Sequence, residues 1–260
     1  MSALLAHSVH GSASDQPLVL LHALATSSAL WAPQLPAWAA QFRVVAIDLP
    51  GHGKSAPQPG ISGMADYAEA VKDVLDHLNI DRAAFVGLSL GGMVAQAFAL
   101  ACPQRTSAVV LAHTSARTYP AGWEIWARRL DQFNQDGLVA QIPSVLDRWF
   151  PREFAEASPM TLRWIADQIA STYPEGYAAA IRAIQQLDHF DALKTLRAPV
   201  LVVAGEVDAA APPSVATAMS EQIQGARLVV MPGVAHLGNV QQPVLFTETV
   251  GDFLRGVLLP

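Results

Sequence analysis

The sequence predicts an α/β fold: a mostly parallel twisted sheet flanked by helices, with an all-helical segment inserted late in the sheet. Three observations predict it. Short, nearly continuous apolar runs recur along the chain. Helical patterns lie between them. The alternation then stops between about Thr118 and Leu193 and resumes at Pro199.

Six runs carry the strand signal: Leu18–Leu21, Val44–Ile47, Ala84–Val86, Val109–Leu111, Val200–Val203 and Leu228–Met231. They are rich in valine and leucine, and most are closed by Gly, Pro, His or Asp. Such runs suit strands buried on both faces, as in a parallel sheet. Between them, Tyr67, Val71, Val74, Leu75 and Leu78 recur at helical spacing. Met93 to Leu100 predicts a second helix, ended by Pro103. Strand, helix and strand in alternation imply right-handed crossovers.

The interruption holds four of the six tryptophans: Trp123, Trp126, Trp149 and Trp164. One apolar stripe runs through Trp123, Trp126, Leu130 and Phe133, another through Leu162, Ile165, Ala166 and Ile169. Ligands of open α/β sheets bind at the carboxyl ends of strands, where this insertion leaves the sheet. Residues 1–117 and 194–260 are therefore expected to form a core domain, and 118–193 a helical cap. A purely structural helical domain is the competing reading.

Composition narrows the function. Of 260 residues, 52% are hydrophobic and 15% charged, enough for one large core, and the net charge is −6. A mildly acidic chain without basic runs is a poor partner for nucleic acid or anionic lipid. No apolar run approaches the ~18 residues of a membrane span. The start of the chain does not read as a signal peptide, and the single cysteine, Cys102, excludes an intrachain disulfide. A cytoplasmic protein is expected. A homo-oligomer is compatible with the sequence.

Gly87-Leu88-Ser89-Leu90-Gly91 is a G-x-S-x-G motif. Alone it is weak, since about one chain in ten of this length would hold it by chance. It gains weight from following a strand run and opening a helix, the setting in which a serine sits exposed on a strained turn. Side chains at Gly87 or Gly91 are expected to collide with the neighbouring strand and helix. A serine hydroxyl needs a base. Of eight histidines, His236 is the strongest candidate, in a loop after the last strand run. His7, His10, His77 and His189 read as surface or packing residues. The base needs an acid to hold its tautomer, and Asp208, just past Val200–Val203, fits. Glu206 is the rival, more suited to solvent or a loop amide. An oxyanion needs fixed N–H donors. Leu90, after the serine, and Leu24, after the first strand run, are expected to supply them, with Ala23 second to Leu24.

These residues resemble the α/β-hydrolase family. Asp48-Leu49-Pro50-Gly51-His52-Gly53-Lys54-Ser55, Gly87 to Met93 and Gly205-Glu206-Val207-Asp208 look like its hallmarks, and Ser89, Asp208, His236 is its order of catalytic residues. Finer features resemble 3-oxoadipate enol-lactonases: Gly87 to Gln96, Trp126 to Arg129, Arg148-Trp149-Phe150, Gly176-Tyr177 and Ala235 to Asn239. The resemblance runs from about Pro17 to Leu254. It implies an α/β-hydrolase fold with a helical lid, and opening of an enol-lactone through an acyl-enzyme, as in aromatic-compound catabolism, without metal or organic cofactor. Three departures stand out. The region before Pro17 is short for the family's first two strands, His113 stands where Asn is expected, and His22-Ala23 departs from the usual oxyanion-loop pair.

Such a small-molecule substrate carries a carboxylate, which an arginine should meet. Helical phase puts Arg129 at the edge of the first stripe and Arg128 in water. Arg129 is thus the expected ligand, with Arg148 the runner-up, and Trp126, Trp149 and His113 are expected beside it. Arg129 merely lying along the cap surface is the bland alternative. A general carboxylesterase or a perhydrolase would use the same triad. A non-catalytic receptor on this fold is a further alternative, and a dehalogenase would need a carboxylate where Ser89 stands.

Overall fold

The computed structural model describes residues 3–259. The chain opens with β1 (His7–His10), β2 (Pro17–Leu21), α1 (Leu35–Trp38), β3 (Arg43–Ile47), α2 (Met64–His77), β4 (Ala83–Leu88), α3 (Leu90–Ala101) and β5 (Thr106–Ala112). Five helices follow: α4 (Pro120–Ala140), α5 (Ile142–Trp149), α6 (Arg152–Ala157), α7 (Pro159–Ala170) and α8 (Pro174–Gln185). The chain then completes the sheet with β6 (Val200–Gly205), α9 (Pro213–Gln222), β7 (Arg227–Met231), α10 (Gly238–Gln241) and α11 (Pro243–Leu258).

All six predicted runs are strands. They form one seven-stranded sheet in the order β1-β3-β2-β4-β5-β6-β7, parallel except for β1. The order reverses between β2 and β4, so the loops after these two strands diverge. That is the switch point at which open α/β sheets hold ligands. Every residue of β4 and β6 is buried, which is why these runs read as continuous apolar stretches rather than alternating ones. β7 corrects the expectation of burial on both faces. It is an edge strand, and Val230 is 41% exposed.

One strand precedes Pro17 among the described residues. β1 pairs antiparallel with β3 at the other edge, His7 opposite Ile47. Its partly exposed burial pattern explains why it carries no apolar signature.

α2 buries Tyr67, Val71, Val74 and Leu75, and starts where the Asp66 carboxylate accepts the N–H groups of Ser62 and Gly63. α3 is buried over most of its length, between the sheet and α2. The five inserted helices leave the sheet after β5 and return before β6. An Arg117–Asp188 bridge and the Thr118 N–H to Leu187 carbonyl bond, 2.9 Å, close their neck. Within α4, Gly137 leaves helical geometry at φ 78°, so the span is two helices meeting at a kink. Trp126, Leu130 and Phe133 pack against the core, but Trp123 is 52% exposed and falls off the expected stripe. Of the second stripe, Ile165 and Ile169 are fully buried.

α8 meets the sheet domain by backbone contact. A Cβ on Gly176 would lie 2.4 Å from the Gly51 Cα, and one on Gly51 would lie 2.2 Å from the Gly176 Cα. Only glycine at both positions lets the helix approach so closely.

Candidate active site

Ser89 stands at the turn from β4 into α3, with φ 54° and ψ −114°. That is a left-handed backbone for a residue with a side chain, costing roughly 1–3 kcal/mol. The surroundings impose it. The Ser89 N–H donates to the Ala112 carbonyl at 2.9 Å, and the Thr114 hydroxyl donates to the Ser89 carbonyl at 2.7 Å. The flanking glycines are sterically required. A Cβ on Gly87 would lie 2.3 Å from the Gly91 carbonyl oxygen, and one on Gly91 would lie 2.1 Å from the Leu21 carbonyl oxygen on β2.

Loops from two later strands reach over this turn. His236, after β7, has Nε2 3.0 Å from the Ser89 Oγ. Its Nδ1 lies 2.9 and 3.1 Å from the two carboxylate oxygens of Asp208, after β6. The Asp208 Oδ1 also accepts the N–H groups of Ala210 and Ala211, at 2.8 and 2.9 Å. Burial alone would raise the Asp208 pKa. The charge of His236 and hydrogen bonds from His113 and His236 outweigh it and hold the carboxyl well below the usual carboxylate range. An ionised carboxylate only accepts, so Nδ1 of His236 carries the proton and the Nε2 lone pair faces Ser89. The arrangement can therefore draw a proton from the Ser89 hydroxyl and stabilise the resulting imidazolium. Glu206 is occupied elsewhere, accepting the Gly233 N–H at 2.8 Å.

The loop after β2 is pinned from beneath. Leu49 N–H donates to His22 Nε2 at 2.9 Å, so the proton sits on His22 Nδ1, which donates to the Ala23 carbonyl at 2.8 Å. Thr26 donates to the same carbonyl from both its N–H and its hydroxyl. Burial lowers the His22 pKa, and burial with His22 alongside pushes His52 down to about 3, so both rings are neutral. Turn hydrogen bonds engage the N–H groups of Thr26 and Gly91 but not those of Leu24 and Leu90. Leu24 and Ser89 line the same cavity.

That cavity, about 360 Å3, lies between the sheet's carboxyl edge and the inserted helices. Ser89, His236, Leu24, His113, Trp126, Arg129, Arg148 and Trp149 all line it. The structure thus brings together the first-choice candidates named from the sequence except Leu90, which starts the helix below, and Asp208, one layer behind His236; Ala23, second to Leu24, is buried outside the cavity lining. Arg128 points to solvent, beside Glu124. Arg129 is held in a closed ring: its Nε donates to the Tyr177 hydroxyl at 2.7 Å, Tyr177 donates to Gln141 at 2.9 Å, and Gln141 donates back to the Arg129 carbonyl at 3.0 Å. Its guanidinium also lies over the Trp126 ring, 5.1 Å from the centroid. One Arg129 nitrogen, Nη2, is buried with no partner. Arg148 has its pKa lowered by burial and by Arg129. No ion pair among the described residues includes either arginine.

Sequence reasoning missed Tyr177 and Gln141 as the residues that aim Arg129. Tyr177 stood in the Gly176-Tyr177 pair, but nothing in the spacing joins α8 to α4. Trp149 does more than line the cavity, since its carbonyl accepts the His236 N–H at 3.1 Å. Among the described residues no group of His, Cys, Asp and Glu is placed to hold a metal ion, and no helix is long and apolar enough to cross a membrane.

Comparison with known proteins agrees with this fold. A family model described as alpha/beta hydrolase fold matches residues 16–243. The chain is 30% identical to 3-oxoadipate enol-lactonase 2 of Acinetobacter baylyi over 249 residues, 96% of this chain and 92% of that protein. Among solved structures, the enol-lactonase of Burkholderia xenovorans LB400 superposes with a TM-score of 0.92 at 33% identity, over 98% of this chain and 99% of the other. A thermophilic esterase from Thermogutta terrifontis gives 0.91 at 30% identity, over 98% and 94% of the two chains. The chain belongs to the alpha/beta hydrolase fold family and is a hydrolase of the ester and lactone type.

Proposed function

We propose that this enzyme is a serine hydrolase that opens a carboxylate-bearing enol-lactone through an acyl-enzyme. The observation that carries the reading is that two arginines without acidic partners share one cavity with Ser89 and His236. In an acidic chain, a half-buried pair of like charges in one cavity is costly unless an anion joins it. A substrate carboxylate bound by Arg129 and Arg148 supplies that anion and leaves the lactone carbonyl to reach Ser89.

Ser89 Oγ then attacks the carbonyl while His236 Nε2 takes its proton. Asp208 stabilises the imidazolium. The Leu90 and Leu24 N–H groups receive the developing oxyanion, aided by the N-terminus of α3. Collapse of the tetrahedral intermediate expels the enolate, which takes the proton held by His236; the enol so formed tautomerises to the ketone, and His236 is left neutral. Water activated by His236 releases the acid. The inserted helices act as a cap that carries the specificity residues, while the sheet carries the chemistry. The same core would also serve a neutral ester, so the arginines separate the two readings.

Kinetics of Arg129→Ala and Arg148→Ala test this. Loss of a charged hydrogen bond should lower kcat/KM on a carboxylated enol-lactone by about 10- to 100-fold, with p-nitrophenyl acetate changed less than about threefold. Equal losses on both substrates would refute the carboxylate site.

A further inference from the structure

His113 is a second histidine on the same carboxylate. It follows β5 at φ 48°, held there by its N–H bond to the Val203 carbonyl at 2.8 Å. A left-handed backbone is tolerated by His, as by Asn and Asp, better than by most residues. Its Nδ1 lies 3.3 Å from the Asp208 Oδ2, the oxygen that also accepts the closer bond from His236. Its ring stacks on Phe246 of α11 and meets the His236 ring nearly edge-on, centroids 6.2 Å apart. Its Nε2 is buried with no partner, packed where a Cβ on Gly238 would come within 2.5 Å. Gly238 of α10 thus leaves the space this ring fills.

We propose that His113 is a positioning residue of the hydrolytic site, a permanently neutral Nδ1–H donor that shares Asp208 with His236 and limits how strongly that carboxylate holds the His236 proton. The proposal rests on the reading of Ser89, His236 and Asp208 as the hydrolytic set. The carboxylate can only accept, so the proton on His113 must be at Nδ1. A second proton at Nε2 would be buried against Gly238 without an acceptor, which costs far more than a neutral ring. Burial lowers the His113 pKa in the same sense. The titratable groups facing His113 are Asp208, from the loop after β6, and His236, from the loop after β7. Arg129 and Arg148 line the same cavity from the inserted helices, while α10 and α11 present Gly238 and Phe246. With the His113 donor removed, the Asp208 charge concentrates on the imidazolium of His236. Proton abstraction from Ser89 then begins only at higher pH, and Asp208 loses one of the groups that orient it.

The test uses p-nitrophenyl acetate, so it does not depend on the arginines. His113→Leu should lower kcat about tenfold with KM within about twofold, and move the acid limb of the kcat/KM profile up by about half a pH unit. His113→Asn, which keeps an N–H donor, should return the limb toward the wild type. A Leu variant whose profile superposes on the wild type, or an Asn variant that behaves like Leu, would overturn the proposal. Nitrogen-15 spectra of the wild type make the decision even if both variants misfold. An Nδ1–H ring that stays neutral from pH 8 to 5 is the expected result, and an Nε2–H tautomer or an imidazolium at pH 6 overturns it. Failure of the hydrolytic set itself would show differently, as activity that survives Ser89→Ala.

Discussion

Ser89 is caught between two demands. In the proposed mechanism attack requires its hydroxyl to stand clear of the sheet, and the turn that achieves this bends its backbone to φ 54°. Ser89→Gly removes both the proposed nucleophile and the strain. It should raise unfolding free energy by about 1 kcal/mol, strain relief outweighing the entropy of glycine, while kcat falls by about ten-thousand-fold or more. Urea unfolding and steady-state kinetics on the same preparation check both halves. At this scale the sequence was most legible where chemistry dictates a residue type, as for a serine between two glycines, an acid past a strand and a histidine in a loop. It was silent about His113 beside Asp208 and Tyr177 beside Arg129. Those contacts join residues 95 and 48 positions apart, and no local pattern encodes them.

At the scale of elements, the site depends on how closely the inserted helices approach the sheet. α8 touches the loop after β3 through Gly51 and Gly176, and the next residue, Tyr177, orients Arg129. Gly176→Ala puts a methyl group against backbone atoms that cannot yield without moving the helix. Stability should fall by about 1–3 kcal/mol, and KM for a carboxylated lactone should rise several-fold. A thermal unfolding midpoint equal to the wild type would contradict the contact. Buried strands were legible because burial on both faces writes a continuous apolar run. The edge strands were less so: β1 carries histidines and serine on partly exposed positions, and β7 exposes Val230. Trp123 followed the helical period but not the buried face, since amphipathic phase does not say how wide the covered stripe is.

The whole molecule carries a consequence of burying neutral histidines. His22, His52 and His113 all have pKa values lowered in the fold, by burial first. Unfolded, each takes up a proton near pH 6.5. Below that pH the unfolded chain binds more protons than the native one, so stability is complete above it and is lost as pH falls. Each histidine contributes at most about 1.4 kcal/mol per pH unit, and the three together about 4. Asp208 adds in the same direction at lower pH, since its depressed pKa favours the fold above about pH 4 and that contribution disappears on acidification. Urea midpoints should therefore drop steeply between pH 6.5 and 5; a flat profile would show that these rings are charged or hydrated in the native state. None of this was visible in the sequence, where His22 and His52 were motif members without an environment.

In the proposed mechanism Ser89 is the acyl-transfer nucleophile, activated by His236. Its most direct test is intact-mass and peptide mass spectrometry after exposure to a fluorophosphonate. One phosphonyl group should attach per chain, mapped to Ser89 in the wild type, and labelling should be abolished in Ser89→Ala and slowed by orders of magnitude in His236→Ala. An unlabelled wild type, or a label on any other residue, would contradict the account.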